Sequence, residues 1–496
     1  MSTSLIEKAK NILLQSFPLT KTILLLSLIY FIGIAKGAVL YFILSHLYIV
    51  FMRVVYGLEP FASGDKTFVF RPISEQYNLL GYLILDNQYD IEEMKKAIIN
   101  RGIKVYKRLR SVNVYKHFDF WWKELPLEDI LTKHLPFDIR INTCKFETKK
   151  DMINYSYDEL NQKFDIYNEL PYKFIFIQNN EGMYRNLVIF KADHILSDGV
   201  GFVGLLSSLA QNYDVKLFPQ SMKKKSANIL GIISSILLMP YYAVYNFYRN
   251  LYSLNMGNTP FKSLTKPISG IPKISLSKEY SFSQYSKINK RMGITFNDMM
   301  MAVFSSAIKR YCDLVEKKPL SRISVLTPIS LRALPKDAKN LVITNDTTAI
   351  GCELPLVDSP LREVGKISKE FKAHVRNMGM YKIVNILSDF CNTWLPYYCT
   401  KNLYHAAAKN FDITFSNVAF PKEPLVYAGC NVTTMYPVIT TGLTYVYIGI
   451  YSYNGNFNVM ISVDSALDLN PDSLMDIFDK EMNVILEREN KHKKHL

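Results

Sequence analysis

The stretch at residues 187–205, LVIFKADHILSDGVGFVGL, constrains the fold of this chain most, because its hydrophobic pattern changes period in the middle. The first half alternates as a strand does, and the turn-forming residues 179–182 join it to an earlier strand-like run at 173–178. This arrangement predicts a β-hairpin. From Asp198 onward the apolar residues recur every three positions, which predicts a helix with Asp198 near its N-cap. The sequence therefore predicts a strand, a short turn that carries His194, and a helix.

The residues of this turn suit proton-transfer chemistry. A neutral imidazole can take a proton from an alcohol or a thiol near pH 7, and His194 would lie at a strand end where a substrate can reach it. The carboxylate of Asp198, four residues later, could lock the loop through a buried ion pair. The alternative interpretation is a partly buried loop histidine beside a helix-capping aspartate.

The same stretch contains GxGxxG, formed by Gly199, Gly201 and Gly204, which is the pattern of dinucleotide-binding turns. In that fold the first glycine follows the strand directly and an acidic residue closes a second parallel strand about 20 residues later. Here residues 193–198 separate the strand from the first glycine, and no such acidic residue follows at that distance. The glycines are therefore predicted to serve helix packing.

Composition limits the possible partners. With 496 residues, of which 49% are hydrophobic, the chain can bury a large core and is expected to form two domains or more. A net charge of +15 suits an anionic membrane surface or an anionic ligand such as CoA. Nucleic acid is not expected as a partner, because the basic residues form no long run and no recognition motif accompanies them. The six cysteines lack metal-ligand spacing, which indicates free thiols in a reducing compartment and no metal site.

Two apolar segments indicate contact with a membrane. Residues 22–52 carry one charge, Lys36, and as one straight helix would measure about 45 Å against a hydrocarbon core of about 30 Å. A tilted span and a re-entrant hairpin both remain open, with a signal peptide or a buried core helix as alternatives. Residues 226–248 carry no charge and end in a part rich in tyrosine, with Tyr241, Tyr242, Tyr245 and Tyr248 after Pro240. That second segment suits the membrane interface, although a buried linker helix fits as well.

The pattern divides the chain into a membrane-anchoring segment at 1–56, a first lobe at 57–220, an interfacial linker at 221–265 and a second lobe at 266–496. In the second lobe Thr295 and Asp298 predict a capping box, and Asn454 with Gly455 predicts a hairpin turn. Further elements are predicted as strands at 77–85, 324–329, 341–353, 412–418, 444–451 and 457–463, and as helices at 91–101 and 471–487.

Several motifs occur together in a recognisable order. His194, Asp198 and Gly199 form HxxxDG, TFNDMMMAVFSSAIKRY contains Asn297 and Asp298, PISLR ends in Arg332, and FSNVAFPKEPL contains Ser416 and Asn417. Over residues 57–490 the chain resembles the wax ester synthase/diacylglycerol acyltransferase family of the CoA-dependent acyltransferase superfamily. One difference stands out: the family commonly has two adjacent histidines, and Asp193 occupies the first position here.

The resemblance implies an α/β (α+β) fold of two related lobes, each a mixed sheet with helices, with the active site in a tunnel between them and the membrane segment added at the N-terminus. It makes His194 the general base and Asp198 a strut whose partner is Arg332. A surface salt bridge or a contact with a CoA phosphate are the alternatives for that arginine. Ser416 is the candidate donor to the oxyanion, with a packing serine as the alternative.

The implied reaction is direct transfer of a fatty acyl group from acyl-CoA, as co-substrate, to a lipid alcohol such as a long-chain alcohol or diacylglycerol. No other cofactor, metal or covalent intermediate is needed. Two rival hypotheses remain: a catalytically inactive lipid-binding or scaffold protein, motivated by Asp193, and an acyltransferase for a small soluble acceptor. The two apolar segments favour a lipid acceptor.

The sequence also predicts a location, the endoplasmic reticulum membrane with the lobes facing the cytosol. The acyl donor is a cytosolic thioester, and Lys493 with Lys494 in the final KKHL resembles a dilysine retrieval signal. Three sequons, at Asn154, Asn345 and Asn431, would accept sugar if the lobes were lumenal.

Overall fold

The computed structural model describes residues 25–27, 30, 33–69, 77–117, 119–165, 167–218, 259–263, 265–330, 332, 334–375 and 411–494. Two large mixed sheets and one small sheet, covered by helices, give the predicted α/β architecture of two lobes. Of the interfacial linker predicted at 221–265, residues 221–258 and 264 lie outside the described residues, and these include the whole apolar segment at 226–248. The same holds for most of the N-terminal segment before residue 33.

The first lobe is built on a six-stranded sheet, in which β13 (Val426–Tyr427) and β14 (Cys430–Ile439) are followed in strand order by β2, β7, β6 and β5. Its elements are β2 (Asn78–Leu85), α3 (Ile91–Ile98), α4 (Leu127–Thr132), β5 (Phe137–Ile141), α5 (Lys149–Asn161), β6 (Tyr172–Gln178), β7 (Asn186–Asp193) and α6 (Gly199–Leu209). The predicted hairpin is the antiparallel pair of β6 and β7. Tyr82 donates to Met152 of α5, whereas Leu83 lines a cavity with residues of α3 and α6. Since adjacent strand residues point to opposite faces, α5 covers one face of the sheet, and α3 and α6 cover the other.

The second lobe is built on a seven-stranded sheet, in which β11-β10-β12-β15-β16-β8 follow in order and β9 pairs with β16. Its elements are β8 (Pro272–Leu276), β9 (Tyr280–Ser281), α7 (Phe282–Met292), α8 (Phe296–Tyr311), β10 (Arg322–Ser330), β11 (Thr347–Pro355), α9 (Pro360–Val375), β12 (Ile413–Ala419), β15 (Val446–Tyr453), β16 (Asn456–Asp464) and α10 (Pro471–Lys494). The predicted turn between the last two strands is confirmed, because Asn454 and Gly455 both have positive φ.

One hairpin crosses between the lobes. Strands β13 (Val426–Tyr427) and β14 (Cys430–Ile439) follow β12 in the chain but join the first sheet, where β14 runs antiparallel to β2. Residues from the C-terminal half of the chain therefore complete the sheet that carries His194. A division of the chain into consecutive segments does not describe this arrangement. This exchange fixes the two lobes against each other through main-chain hydrogen bonds.

The strand predicted at 341–353 is partly wrong. The structure has a strand only at β11, and residues 341–346 form a loop. Side chains take over the hydrogen bonds that a strand would give to its neighbour: Arg332 donates to the carbonyls of Val342 and Thr344, and Asp198 accepts from the backbone N–H of Asp346. The polar partners of the loop come from distant parts of the chain, so the apolar pattern alone could not reveal them.

A small sheet supports the N-terminal helix. It consists of β1 (Leu58–Pro60), β4 (Asp119–Glu124) and β3 (Ser111–Lys116), in that order, and α1 (Ile34–Tyr56) packs on it through Met52, which is buried with Leu58 and Trp121. Within α1, residues Val39–Tyr56 are long and apolar enough to cross a membrane by length and composition, and only 6% of this window is buried. After β1 the short helix α2 (Ser63–Val69) leads back to the first lobe.

Candidate active site

His194 directly follows β7, where its backbone N–H donates to the carbonyl of Tyr77 at 2.9 Å. Its ring is stacked against those of Phe68 and Tyr77, with ring centroids 4.3 and 4.8 Å away, and meets the ring of Phe202 edge-on at 5.8 Å; Phe68 and Tyr77 are themselves stacked, 5.9 Å apart. The side chain is half-buried. These aromatic contacts restrict the orientation of the imidazole, whose two nitrogens form its polar edge.

Asn345 binds that polar edge. Its Oδ1 lies 3.2 Å from Nδ1 of His194, and its Nδ2 donates to the carbonyls of His194 and Ile195 at 3.0 and 3.2 Å. Sequence analysis assigned this residue only to a sequon and to a strand, so its place in the site is a correction. Its one sequence signal was the polar run of residues 344–348 inside an apolar pattern.

A second residue that sequence analysis missed is Asp65, whose side chain is fully buried. It accepts from the backbone N–H and the Nδ2 of Asn345, both at 3.0 Å, and forms an ion pair with Arg108 at 2.8 Å. Gly64 lets the two segments meet, because a Cβ at that position would collide with the Asn345 carbonyl. A carboxylate on α2 thus supports the loop that supports His194.

Asp198 has three functions in the turn. It caps α6 by accepting from the backbone N–H of Gly201 at 2.8 Å, it accepts from the backbone N–H of Asp346 at 2.7 Å, and it forms an ion pair with Arg332. The capping prediction and the predicted partner are both confirmed. Because the Asp198 side chain is only 1% exposed and the Arg332 side chain 12%, the pair is buried and joins the lobes.

The glycines of GxGxxG pack against the second lobe. A Cβ at Gly199 would contact Val418, one at Gly201 would collide with Arg332, and one at Gly204 would press on Leu334 and Leu341. The prediction that these glycines serve helix packing is therefore confirmed. They let α6 approach the second lobe closely at the end where His194 lies.

Ser416 lies on β12 opposite Gly449 of β15 and is buried. Its neighbour is Tyr447, whose pKa is raised by burial while the interaction with the Ser416 hydroxyl opposes the rise. The Tyr447 hydroxyl lies 3.3 Å from that of Tyr451. The serine therefore belongs to a buried group of hydroxyls between the sheets, and its role as oxyanion donor stays a prediction.

The residues of the Asn-Asp motif lie at a junction inside the second lobe. Asn417 donates to Asn297 at 2.5 Å, which ties the end of β12 to the start of α8. Asp298 accepts from the backbone N–H of Thr295 at 3.0 Å and completes the capping box that the sequence predicted. In the structure Asn297, Asp298 and Asn417 thus make contacts that stabilise the fold.

Asp193 is buried and uses its carboxylate within the turn, where Oδ1 accepts from the backbone N–H of Ile195 at 2.8 Å. As the last residue of β7 it points to the sheet face opposite that of Ala192. Lys163 lies near this carboxylate: burial lowers the pKa of the lysine, and the charge of Asp193 partly offsets the effect. The effect of Asp193 on catalysis stays a prediction.

Comparison with known structures identifies the class to which this fold belongs. The starter condensation domain of rhizomide synthetase, solved in complex with C8-CoA, matches over 86% of this chain and 94% of its own, with a TM-score of 0.54 and 11% identity. The wax ester synthase/diacylglycerol acyltransferase of Marinobacter aquaeolei VT8 matches over 87% and 99%, with a TM-score of 0.55 and 16% identity. The fold is that of the condensation-domain-like acyltransferases.

Sequence comparison narrows the class to one family. The WS/DGAT C-terminal domain matches residues 345–486. A Mycobacterium tuberculosis protein named as a diacylglycerol O-acyltransferase is 24% identical over 335 residues, which are 60% of this chain and 64% of the relative, so less than two thirds of that relative is covered. These matches show that the chain is similar to the wax ester synthase/diacylglycerol acyltransferase family, whose C-terminal domain it matches over residues 345–486.

Proposed function

We propose that this protein is an O-acyltransferase that moves a fatty acyl group from acyl-CoA to a lipid alcohol, forming a wax ester or triacylglycerol. The observation that carries the proposal is a histidine held between two lobes by Asn345, in a turn fixed by the Asp198–Arg332 ion pair. Two comparisons support the proposal: relatives are named for acyl transfer to alcohols, and a protein of the same fold binds C8-CoA.

The proposed reaction is a direct transfer with His194 as general base. Because Nδ1 of His194 faces Asn345, Nε2 is the nitrogen that takes the proton of the alcohol. The alcohol oxygen attacks the thioester carbonyl, and the resulting oxyanion is stabilised by a hydrogen-bond donor, for which Ser416 is the candidate. The C–S bond then breaks, and the imidazolium returns its proton to the CoA thiolate. The products are the ester and free CoA, and His194 is neutral again.

A lipid acceptor suits the exposed face of α1 better than a soluble one. Its exposed apolar side chains are Val39, Phe42, Ile43, Leu44, Leu47, Val50, Phe51, Val54 and Val55. Exposed apolar surface of this length is unfavourable in water and favourable in a bilayer. A protein held at a membrane meets long-chain alcohols and diacylglycerols where they are dissolved.

The test is incubation of the purified full chain with radiolabelled palmitoyl-CoA and separate acceptors: hexadecanol, dioleoylglycerol, cholesterol and a water-soluble short alcohol. We expect labelled ester with hexadecanol or dioleoylglycerol and release of free CoA in equal amount. Ester formed only from the short alcohol would support a soluble acceptor instead. No ester with any acceptor, together with binding of labelled lipid, would support the inactive lipid-binding hypothesis.

We further propose that α1 holds the protein at the endoplasmic reticulum membrane with both lobes on the cytosolic side. The proposal is supported by the apolar helix and by the cytosolic origin of acyl-CoA. Within the described residues, Cys144, Cys312, Cys352 and Cys430 form no disulfide, which is compatible with a reducing compartment.

Glycosylation can test this orientation with two of the three sequons. Asn345 is buried against His194 and Asp65, so it cannot report on orientation in the folded protein. Asn154 and Asn431 are exposed. In a glycosylating cell we expect no mass change on glycosidase treatment and retention of the protein in membranes after a carbonate wash. Sugar on Asn154 or Asn431 would place the lobes in the lumen.

A further inference from the structure

The contacts around Asn345 fix which end of its amide faces His194. Nδ2 has three partners, the Asp65 carboxylate at 3.0 Å and the carbonyls of His194 and Ile195 at 3.0 and 3.2 Å. All three are acceptors. A flipped amide would place its oxygen against a carboxylate and two carbonyls, so the NH2 group must occupy this position.

The fixed amide in turn decides the tautomer of the imidazole. Oδ1 of Asn345 lies 3.2 Å from Nδ1 of His194, and an amide oxygen can only accept a hydrogen bond. In neutral His194 the proton must therefore be on Nδ1. Nε2 then carries the lone pair, which is the form that a general base needs on the nitrogen facing the alcohol.

Asp65 is built to act as an acceptor only. Besides Asn345, it accepts from Thr344 Oγ1 at 3.3 Å, from Trp122 Nε1 at 3.3 Å and from Arg108 at 2.8 Å. Arg108 is itself stacked on the Trp122 ring, 4.0 Å from its centroid. A fully buried carboxylate surrounded by donors and paired with a guanidinium stays in place, because moving it would leave several buried groups without partners.

We propose that Asp65 is a positioning residue for the base: through Asn345 it holds His194 in the Nδ1–H tautomer. The proposal rests on the proposed function for its catalytic meaning, but the tautomer itself can be measured without any reaction. Asp65 and Phe68, which stacks on His194, both lie on α2. The segment that follows the proposed membrane helix thus supplies one face of the histidine and the anchor of its hydrogen-bond partner.

The experiment uses the full chain labelled with 15N-histidine in detergent micelles, at a pH at which the ring is neutral. Long-range proton–nitrogen spectra distinguish the two tautomers, and loss of signals in His194→Gln assigns the ring. We expect Nδ1–H in the wild type. Asp65→Leu combined with Arg108→Met removes the anchor without leaving a lone buried charge, and should shift the ring toward Nε2–H. In this variant kcat should fall about 10- to 100-fold while the KM for acyl-CoA stays within about twofold.

Asn345→Leu, which removes the contact with Nδ1 directly, is the second variant and should give the same tautomer change. The matched control is Asp412→Asn, a buried carboxylate paired with Lys262 and roughly 20 Å along β12 from the Val418 end near Gly199. It should lose stability but keep the tautomer and kcat. An Nε2–H ring in the wild type, or an Nδ1–H ring in the Asp65 variant, would overturn the proposal.

The outcomes also separate this inference from the proposed function. Suppose that His194→Ala still forms ester, while His194 is the Nδ1–H tautomer in the wild type but not in the Asp65 variant. The assignment of His194 as the base then fails, and the positioning role of Asp65 stands. If His194→Ala is inactive and the Asp65 variant keeps both its tautomer and its kcat, the positioning role fails and the base stands.

Discussion

His194→Ala should reduce ester formation by about 10²- to 10⁴-fold, the range typical of removing a general base. The variant lacks the imidazole that is bound to Asn345. Initial rates of CoA release with the acceptor that the wild type uses would measure the change. Protein recovered in the membrane fraction should stay the same, because the substitution does not touch α1.

Two comparisons show whether the loss is chemical. His134→Ala changes a histidine after α4, outside the site, and should leave the rate unchanged. His194→Gln keeps more of the side-chain volume against Phe68 and Tyr77, and should be as inactive as the alanine variant although better packed. Activity above about a tenth of the wild-type rate in either His194 variant would mean that another group takes the proton.

The local parts of the site could be predicted because each depends on neighbours in sequence. The hairpin ending at His194, the cap by Asp198 and the capping box of Thr295 and Asp298 involve residues within a few positions of one another. Their patterns reflect hydrogen bonds made inside a single turn. The pairing of Asp198 with Arg332, 134 positions away, was available only through resemblance to a family.

The support of the histidine could not be predicted for the same physical reason. Asp65 and Asn345 are 280 positions apart, and neither lies in a motif that points to the other. A buried acceptor such as Asp65 is recognised by its donors, and those donors are Arg108, Trp122 of β4 and the loop before β11. The pairing of β14 with β2 in the first sheet could not be predicted either, because the alternating pattern of a strand does not specify the strand beside it.

Asp198→Asn should destabilise the protein by about 3 kcal/mol and lower kcat by about 10- to 100-fold. Both carboxylate oxygens are in use: Oδ1 accepts from Gly201 and Arg332, and Oδ2 accepts from Asp346. An asparagine must direct its NH2 group at one of these donors, and it leaves the buried guanidinium without a counter-charge. Arg332 keeps its bonds to two carbonyls, so the cost should lie at the lower end of the range for a broken buried pair. Thermal unfolding and steady-state rates would measure the two effects.

Asp90→Asn is the control that distinguishes the loss of a helix cap from the loss of the ion pair. Asp90 caps α3 by accepting from the N–H groups of Glu92 and Glu93. It is exposed and forms no ion pair within the described part of the chain, so its substitution should cost little. A double-mutant cycle of Asp198→Asn and Arg332→Met then measures the coupling between the two side chains. Because the arginine variant removes the charge that Asp198→Asn leaves unpaired, the double variant should be more stable than the sum of the two single losses. It should nevertheless remain slow, since the loop at 342–346 would have lost its connection to the turn that carries His194. Stability and rate that recover together would instead show that the ion pair acts on folding alone.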